Sequence, residues 1–170
     1  MPHYRDAVTN YDLLKLGDFE FQCRVVLPDT KLAYRTYGKL NPEGSNAILI
    51  AVPVNGTHQD AASIHIEGEN RAISPEKHFV IIPDMFGDGL SSSPSNTPSP
   101  FDGADFPSVT IYDNVRAQHR LVTEELGITK LKLVTGFSMG GLQSFHWAAM
   151  YPDMVEKVLP IWGSAKCSGH

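Results

Sequence analysis

Three short, continuous runs of apolar residues constrain the fold of this chain more than any other feature. They are NAILIAV (residues 46–52), HFVIIP (residues 78–83) and LKLVT (residues 131–135). Apolar runs of this length are typical of strands that are buried on both faces of a sheet. The stretch VEKVLPIWG (residues 155–163) is a fourth candidate. The sequence therefore predicts a sheet that is covered by helices on both sides.

Helical patterns lie between these predicted strands. In TIYDNVRAQHRLVTEELG (residues 110–127), apolar side chains recur at helical spacing, Thr110 and Asp113 have the spacing of a capping box, and Gly127 is a natural stop. A second helix is expected over residues 140–151 and a shorter one within residues 59–73. Buried strands that alternate with helices indicate a mostly parallel sheet, and we expect residues 1–170 to form a single α/β domain.

The first forty residues predict a hairpin. FEFQCRVVL (residues 19–27) and KLAYRTYG (residues 31–38) both have the character of strands. LPDT (residues 27–30), which lies where the two meet, contains typical turn residues and is predicted to connect them.

Composition excludes several classes of function. The formal net charge is −5 and the basic residues are scattered, which argues against nucleic-acid binding. No apolar run reaches eighteen residues and the first residues lack the pattern of a signal peptide, so we expect neither a membrane span nor export. Cys23 and Cys167 have no metal-ligand spacing and predict no metal site. They fit a reducing, cytoplasmic compartment, although one disulfide between them stays open.

Residues 87–107 are rich in Gly, Ser and Pro and follow a predicted buried strand. Such a stretch is either a flexible linker or a loop over a site. Because ligands of open α/β sheets bind at the carboxyl ends of the strands, we expect an irregular loop beside a functional site.

The stretch VTGFSMGGLQS (residues 134–144) carries the strongest chemical signal. It contains Gly-x-Ser-x-Gly between a predicted buried strand and a predicted helix. This context is that of a nucleophile elbow, in which Ser138 occupies a strained turn that Gly136 and Gly140 make room for. The helix N-terminus would stabilise an oxyanion through the N–H of Met139, with a second N–H from the loop after residues 46–52. The alternative is a glycine-rich helix start that packs closely and performs no chemistry.

Together, these residues resemble the α/β-hydrolase fold and, within it, the homoserine O-acetyltransferase group. Residues 32–50, 106–128 and 135–165 carry the likeness. The resemblance implies an α/β-hydrolase fold, of which these residues form the N-terminal part. It also implies that Ser138 is the catalytic nucleophile and that the backbone N–H groups of Met139 and Val54 bind the oxyanion.

The chain departs from the acetyltransferase pattern at two places. Val52 stands where the group carries a histidine, and Asn55 stands where it carries a threonine. PDMFGDGLSSSPSN (residues 83–96) is similar to the corresponding turn of general hydrolases. The resemblance therefore implies hydrolysis of an ester or thioester through an acyl-serine, without a cofactor. Two alternatives stay open, namely acyl transfer to a homoserine-like acceptor with acetyl-CoA as co-substrate, and a non-catalytic binding module.

In this fold, the acid and then the histidine of a triad follow the serine. After Ser138 the chain offers Asp153 and Glu156, of which Asp153 is expected to cap or shield the far end of the helix, and His170. His146 lies too far along that helix to reach back. His58 is expected to be a solvated loop histidine, with a place in the lining of the site as the alternative, and His119 is expected on a helix flank.

We therefore expect the triad acid and base to lie outside these residues and the chain to be part of a longer protein. The predicted partners are a small-molecule acyl substrate and the C-terminal remainder of the same protein, with a homodimer left open. No nucleic acid or membrane partner is expected.

Overall fold

A computed structural model describes residues 8–166, which build a six-stranded sheet with the spatial order β1-β2-β4-β3-β5-β6. In chain order the strands are β1 (Asp12–Glu20), β2 (Val26–Tyr37), β3 (Ala47–Ala51), β4 (Phe79–Pro83), β5 (Leu133–Phe137) and β6 (Val158–Ile161). The α-helices of this part of the chain are α1 (His58–His65), α2 (Ile111–Arg120) and α3 (Met139–Met150). β4, β3, β5 and β6 are parallel to one another, whereas β1 and β2 are antiparallel additions at one side. The predicted mostly parallel sheet is confirmed.

Both faces of the sheet are covered at its centre, and the alternation of side chains along β3 shows how. Leu49 belongs to an apolar cluster that includes Trp147 of α3, whereas Ile48 and Ile50 belong to a second cluster with Ala62 of α1. All five residues of β3 are buried. A strand that contributes to two cores cannot alternate apolar with polar residues, which is why its sequence is an uninterrupted apolar run.

The helix predicted over residues 110–127 is confirmed together with its capping box. The Thr110 hydroxyl accepts a hydrogen bond from the Asp113 N–H at 3.3 Å, and the Asp113 carboxylate accepts one from the Thr110 N–H at 3.0 Å. The other Asp113 oxygen accepts the backbone N–H of Gln22 at 2.7 Å. After α2, residues Leu121–Glu125 continue as a π-helical turn.

The N-terminal hairpin exists, but its predicted limits are wrong. β1 ends at Glu20 and residues 21–25 form the turn, in which the Arg24 N–H donates to the Phe21 carbonyl oxygen at 2.8 Å. LPDT lies inside β2. These turn-forming residues fit within the strand pair because the pairing is irregular there. The register shifts on either side of Gly17, and Asp29 has a positive φ.

The segment between β4 and α2 is irregular, apart from a short 3₁₀ turn at Gly103–Asp105. The Ser91 and Ser92 side chains are buried, and their hydroxyls accept the backbone N–H groups of Ala33 and Lys31, both at 2.9 Å. The loop therefore continues the hydrogen bonding of β2 beyond the end of β4. The linker alternative is wrong, because this segment packs on the sheet. Its placement beside Ser138 stays a prediction.

Cys23 is exposed, and Cys167, the other cysteine of the disulfide that the sequence leaves open, lies outside the described residues. Within residues 8–166, no helix combines the length and the apolar character that crossing a bilayer requires.

Candidate active site

Ser138 forms the tip of a sharp turn between β5 and α3. β5 ends at Phe137 and α3 begins at Met139, so this single residue joins the two elements. Its φ of 56° and ψ of −116° lie in a region that non-glycine residues rarely adopt, at a cost of roughly 1–3 kcal/mol. The hydroxyl makes no capping hydrogen bond with α3. The turn thus holds a strained serine whose side chain does not serve the helix.

The glycines around Ser138 allow close approach of the backbone. A β-carbon on Gly136 would lie 2.6 Å from the Ala51 carbonyl oxygen, and one on Gly140 would overlap the same oxygen. A β-carbon on Gly141 would lie 2.8 Å from the Cα atom of Gly163, just after β6. Side chains at these positions would push α3 away from the carboxyl ends of β3 and β6. The prediction that Gly136 and Gly140 make room at this turn is confirmed.

The start of α3 provides backbone N–H groups next to Ser138. The N–H groups of Gly141 and Leu142 both donate to the Ser138 carbonyl oxygen, at 2.9 and 3.2 Å. The N–H groups that precede them have no carbonyl partner within the helix and carry its partial positive charge. Met139 supplies the N–H group directly after Ser138. Negative charge that develops near the serine would therefore be stabilised.

The loop that follows β3, residues 52–57, lies at the same edge of the sheet and is called the β3 loop here. The pairing of Ala51 with Gly136 puts the chain two residues later, at Pro53, level with Ser138. The Gly56 N–H donates to the Pro53 carbonyl oxygen at 3.0 Å, which closes a tight turn with Asn55 at a φ of 57°. Val54 is in this turn and is 52% exposed. Two neighbouring strands thus lead, at the same edge of the sheet, into the turn at Ser138 and Met139 and into the β3 loop with Val54.

His58 differs from its expected role. It is the first residue of α1, it is 1% exposed, and its Nδ1 atom lies 2.8 Å from Oδ2 of the equally buried Asp84. Asp84 Oδ1 also accepts the His58 backbone N–H at 2.7 Å. Because an ionised carboxylate only accepts hydrogen bonds, Nδ1 is the donor. The prediction of a solvated loop histidine is wrong, since the Asp84 carboxylate supplies the partner that allows burial.

Sequence reasoning missed Asp84 and also Gln143 of α3. Gln143 is fully buried, and its Nε2 atom donates to the Val52 carbonyl oxygen at 3.0 Å. The signal for Asp84 was available, because it directly follows the apolar run of β4. For Gln143 the signal was a polar residue in an otherwise apolar and small-residue segment.

The two acids after Ser138 lie at the opposite edge of the sheet. Asp153 and Glu156 follow the C-terminal end of α3, where the Glu156 N–H donates to the Leu131 carbonyl oxygen ahead of β5. Twelve residues of helix span about 18 Å. Asp153 therefore lies far from Ser138, and its expected role in capping or shielding the end of the helix stays a prediction. His170 lies outside the described residues.

The remaining histidines near α3 have local contacts. His146 Nδ1 lies 3.2 Å from the Leu142 carbonyl oxygen, within the helix. His119 stacks on Tyr151 with ring centroids 3.9 Å apart, and burial lowers its pKa although Glu124 opposes this effect. His119 thus lies on the flank of α2 against α3, as expected. No group of three or more His, Cys, Asp or Glu side chains within residues 8–166 has a metal-binding arrangement.

Comparison with known proteins identifies the fold. The sequence model of the alpha/beta hydrolase fold matches residues 59–159, which is more than half of the chain. The chain belongs to the α/β-hydrolase family. The predicted family and fold are thereby confirmed.

Several α/β-hydrolase relatives are esterases. An ethyl acetate hydrolase of Pseudomonas veronii is 41% identical over 160 residues, which are 94% of this chain and 46% of that protein. The solved structure of the acetyl esterase MekB matches with a TM-score of 0.93 and 40% identity, over 98% of this chain and 48% of that one. A homoserine O-acetyltransferase of Chloroherpeton thalassium is 41% identical over 148 residues, 84% of this chain and 39% of that protein. The chain therefore spans about half the length, or less, of the relatives it matches.

Proposed function

We propose that the protein hydrolyses a small carboxylic ester through an acyl-serine intermediate on Ser138. The observation that carries this proposal is the strained backbone of Ser138 at the junction of β5 and α3. If the turn served only to let α3 pack closely on the sheet, glycine would suit this position better, because glycine adopts a positive φ without a steric penalty. Retention of a serine under strain is the mark of a functional side chain.

The chemistry consists of two acyl transfers. Ser138 Oγ attacks the carbonyl carbon of the ester, its proton passes to a general base, and a tetrahedral oxyanion forms. The C–O bond to the leaving alcohol then breaks, the alcohol takes up the proton, and the acyl group remains on Oγ. Water repeats the attack and releases the carboxylic acid together with the free serine.

The oxyanion is stabilised by two backbone N–H groups in this proposal. The Met139 N–H lies at the positive end of α3, and the Val54 N–H comes from the β3 loop at the same edge of the sheet. Loss of one such donor typically lowers kcat by roughly 10²–10³. Because both are main-chain groups, their placement depends on the loop and the helix that hold them.

The general base and its acid are assigned to no described residue. Asp153 and Glu156 lie at the wrong edge of the sheet, and His58 is bonded to Asp84 deep in the protein. We propose that both groups come from outside these 170 residues. An ester assay on the 170-residue chain alone tests this. Turnover above that of a Ser138→Ala control would instead locate a base within the chain.

The substrate is proposed to be an acetate ester of a small alcohol, by analogy with the relatives named as ethyl acetate hydrolase and acetyl esterase. The test is hydrolysis of ethyl acetate, ethyl butyrate and ethyl hexanoate by the full-length protein, with Ser138→Ala as the control. We expect kcat/KM to fall along this series. Equal turnover of all three esters would contradict the acetate preference, and turnover by Ser138→Ala would contradict the nucleophile.

Acyl transfer is the second candidate, because a homoserine O-acetyltransferase is also a relative, at 41% identity. In that reaction acetyl-CoA donates the acetyl group to Ser138, and a hydroxyl of the acceptor replaces water in the second step. Release of CoA thiol from acetyl-CoA that depends on added homoserine would favour transfer. Absence of turnover with every ester and with acetyl-CoA would favour the binding module.

Two predictions from the sequence remain, namely a cytoplasmic location and a single domain over residues 1–170. A homodimer stays open. Fractionation of the source cells and the solution mass of the full-length protein are the measurements that address the location and the dimer.

A further inference from the structure

The β3 loop is held at both ends by buried side chains that the reaction itself does not use. Within residues 8–166, its backbone hydrogen bonds outside regular structure are few. The Gly56 N–H donates to the Pro53 carbonyl oxygen, and the Thr57 carbonyl oxygen accepts the Ala61 N–H where α1 begins. A loop with so little internal bonding does not fix the direction of the Val54 N–H on its own. Since a displacement of about 1 Å in an active site can cost on the order of 10² in rate, its anchors matter.

At the far end, Asp84 fixes the point where the loop enters α1. Its two carboxylate oxygens accept the backbone N–H and the Nδ1–H of His58, at 2.7 and 2.8 Å. Charge-assisted bonds of this length are stronger than neutral ones, and burial of both residues shields them from water. The Asp84 N–H donates to the Ala33 carbonyl oxygen at 2.8 Å, so the anchor is part of the sheet.

At the near end, Gln143 fixes the point where the chain leaves β3. Its Nε2 atom donates to the Val52 carbonyl oxygen, and its Oε1 atom accepts a hydrogen bond from Gln118. Gln118 in turn accepts the indole N–H of Trp147 at 2.8 Å. Because every polar atom has a defined partner, the Gln143 amide has one orientation. Gln143 also lies on the helix that begins just after Ser138, so it links the loop to the nucleophile.

His58 carries a cost that packing alone does not explain. Its Nε2 atom is buried and makes no hydrogen bond with any residue in the described part of the chain. A buried, unpaired polar atom destabilises a fold, and a leucine of similar size would avoid that penalty. What the imidazole provides is the Nδ1–H group that binds Asp84. The hydrogen bond from His58 to Asp84, which holds the end of the β3 loop, is therefore what a histidine gains over a leucine at this position.

We propose that His58, Asp84 and Gln143 are positioning residues that hold the β3 loop so that the Val54 N–H faces the oxyanion. The inference rests on the proposed function, because Val54 matters only if an oxyanion forms at Ser138. None of the three touches the substrate in this scheme. Each acts through the backbone of the loop, two of them from its far end and one from its near end.

The experiment uses the full-length protein and compares His58→Leu and Gln143→Leu with His58→Asn. The asparagine amide can place an N–H where Nδ1 lies, so it serves as the rescue variant. Thr30→Val is the matched control, because it removes a buried hydrogen bond from the Thr30 hydroxyl to the Leu27 carbonyl oxygen in β2. Kinetics with ethyl acetate and inhibition by a trifluoromethyl ketone, which forms a tetrahedral oxyanion adduct with serine, are the readouts.

We expect both leucine variants to lower kcat by about 10- to 100-fold while KM changes less than about threefold. The inhibition constant of the ketone should rise in proportion to the loss of kcat/KM, as for a transition-state analogue. His58→Asn should recover most of the activity, and Thr30→Val should match the wild type. If a leucine variant does not fold, Asp84→Asn changes one atom of the anchor and should give an intermediate loss of kcat.

Two results would overturn the proposal. One is that the folded variants keep kcat within about threefold of the Thr30→Val control. The other is a loss of kcat without weaker binding of the ketone. Failure of the proposed function gives a different result. If Ser138→Ala still hydrolysed the ester, Ser138 would not be the nucleophile, and this variant is therefore measured first.

Discussion

The Ser138 N–H donates a hydrogen bond to the Ile161 carbonyl oxygen at 2.9 Å. This bond extends the parallel pairing of β5 with β6 by one residue, beyond the pair formed by Phe137 and Ile161. The turn is therefore fixed by the sheet on one side, while α3 begins immediately on the other. A serine held in this way keeps its strained φ and ψ because both neighbours are immobilised.

Replacement of Ser138 separates function from strain. Ser138→Ala should lower kcat by roughly 10⁶ while the fold is kept, as for other serine nucleophiles. Ser138→Gly should be equally inactive. It should be more stable than Ser138→Ala by about 1 kcal/mol or more, because glycine adopts a positive φ without strain. Ester hydrolysis and urea unfolding of both variants are the measurements. A Ser138→Gly variant that is less stable than Ser138→Ala would contradict the strain argument.

Gly140→Ala tests the close approach of α3 to β3. The new β-carbon would overlap the Ala51 carbonyl oxygen, so α3 must shift and the turn with it. We expect a destabilisation of about 1–3 kcal/mol and a loss of most activity.

Gly127→Ala is the control for that substitution. Gly127 has a φ of 64° and no atom near its missing β-carbon, so alanine there costs about 1 kcal/mol through the backbone alone. Unfolding and ester hydrolysis are measured for both. Activity of Gly140→Ala equal to that of Gly127→Ala would argue against the steric role.

Thr110→Ala tests the capping box of α2. It removes the hydroxyl that accepts the Asp113 N–H, and loss of an N-cap typically costs about 1 kcal/mol. α2 does not carry the proposed nucleophile or oxyanion donors, so ester turnover at a temperature well below the transition should be unchanged. The measurement pairs denaturant unfolding with kcat. A stability equal to that of the wild type would show that the Asp113 contacts alone fix this helix start.

Stability should fall with pH below neutrality because of three histidines. Burial lowers the pKa of His65, His78 and His119 in the folded protein. Above the unfolded pKa of about 6.5, both states are neutral at these sites and stability is fully present. As the pH falls through 6.5 toward the lowered folded values, the unfolded state takes up more protons and stability is lost.

The check is the unfolding free energy of the full-length protein at pH 7.5 and pH 5.5. His119→Gln should show a smaller decrease between these values than the wild type, since one of the three sites is removed. An identical decrease would mean that His119 titrates alike in both states.

The centre of the sheet was predictable because β3 and β4 have apolar sequences that suit a doubly buried position. Leu49 and its neighbours leave no polar face, and Thr110 with Asp113 marks a helix start by itself. The hairpin limits were not predictable, because Pro28 and Asp29 are turn residues placed inside a strand, and Arg24 takes a positive φ without a turn signal.

At the candidate site, Ser138 was predictable because its motif is local. The contact between His58 and Asp84 joins residues 26 positions apart through the sheet. Neither residue by itself indicates the other, since their proximity depends on the pairing of β3 with β4. The same holds for Gln143 and Val52, which are 91 positions apart.

The Asp113 carboxylate, which closes the start of α2 and also binds the Gln22 amide in the hairpin turn, has a consequence for cooperativity. One oxygen serves a contact three residues away and the other a contact 91 residues away. A local opening of the hairpin therefore breaks the hydrogen bond from the Gln22 N–H to Asp113 at the start of α2. Fraying of α2 at Asp113 breaks the same bond and so destabilises the hairpin turn. These two parts of the chain should exchange their amide hydrogens as one unit, with a common opening free energy, although no strand pairing joins them.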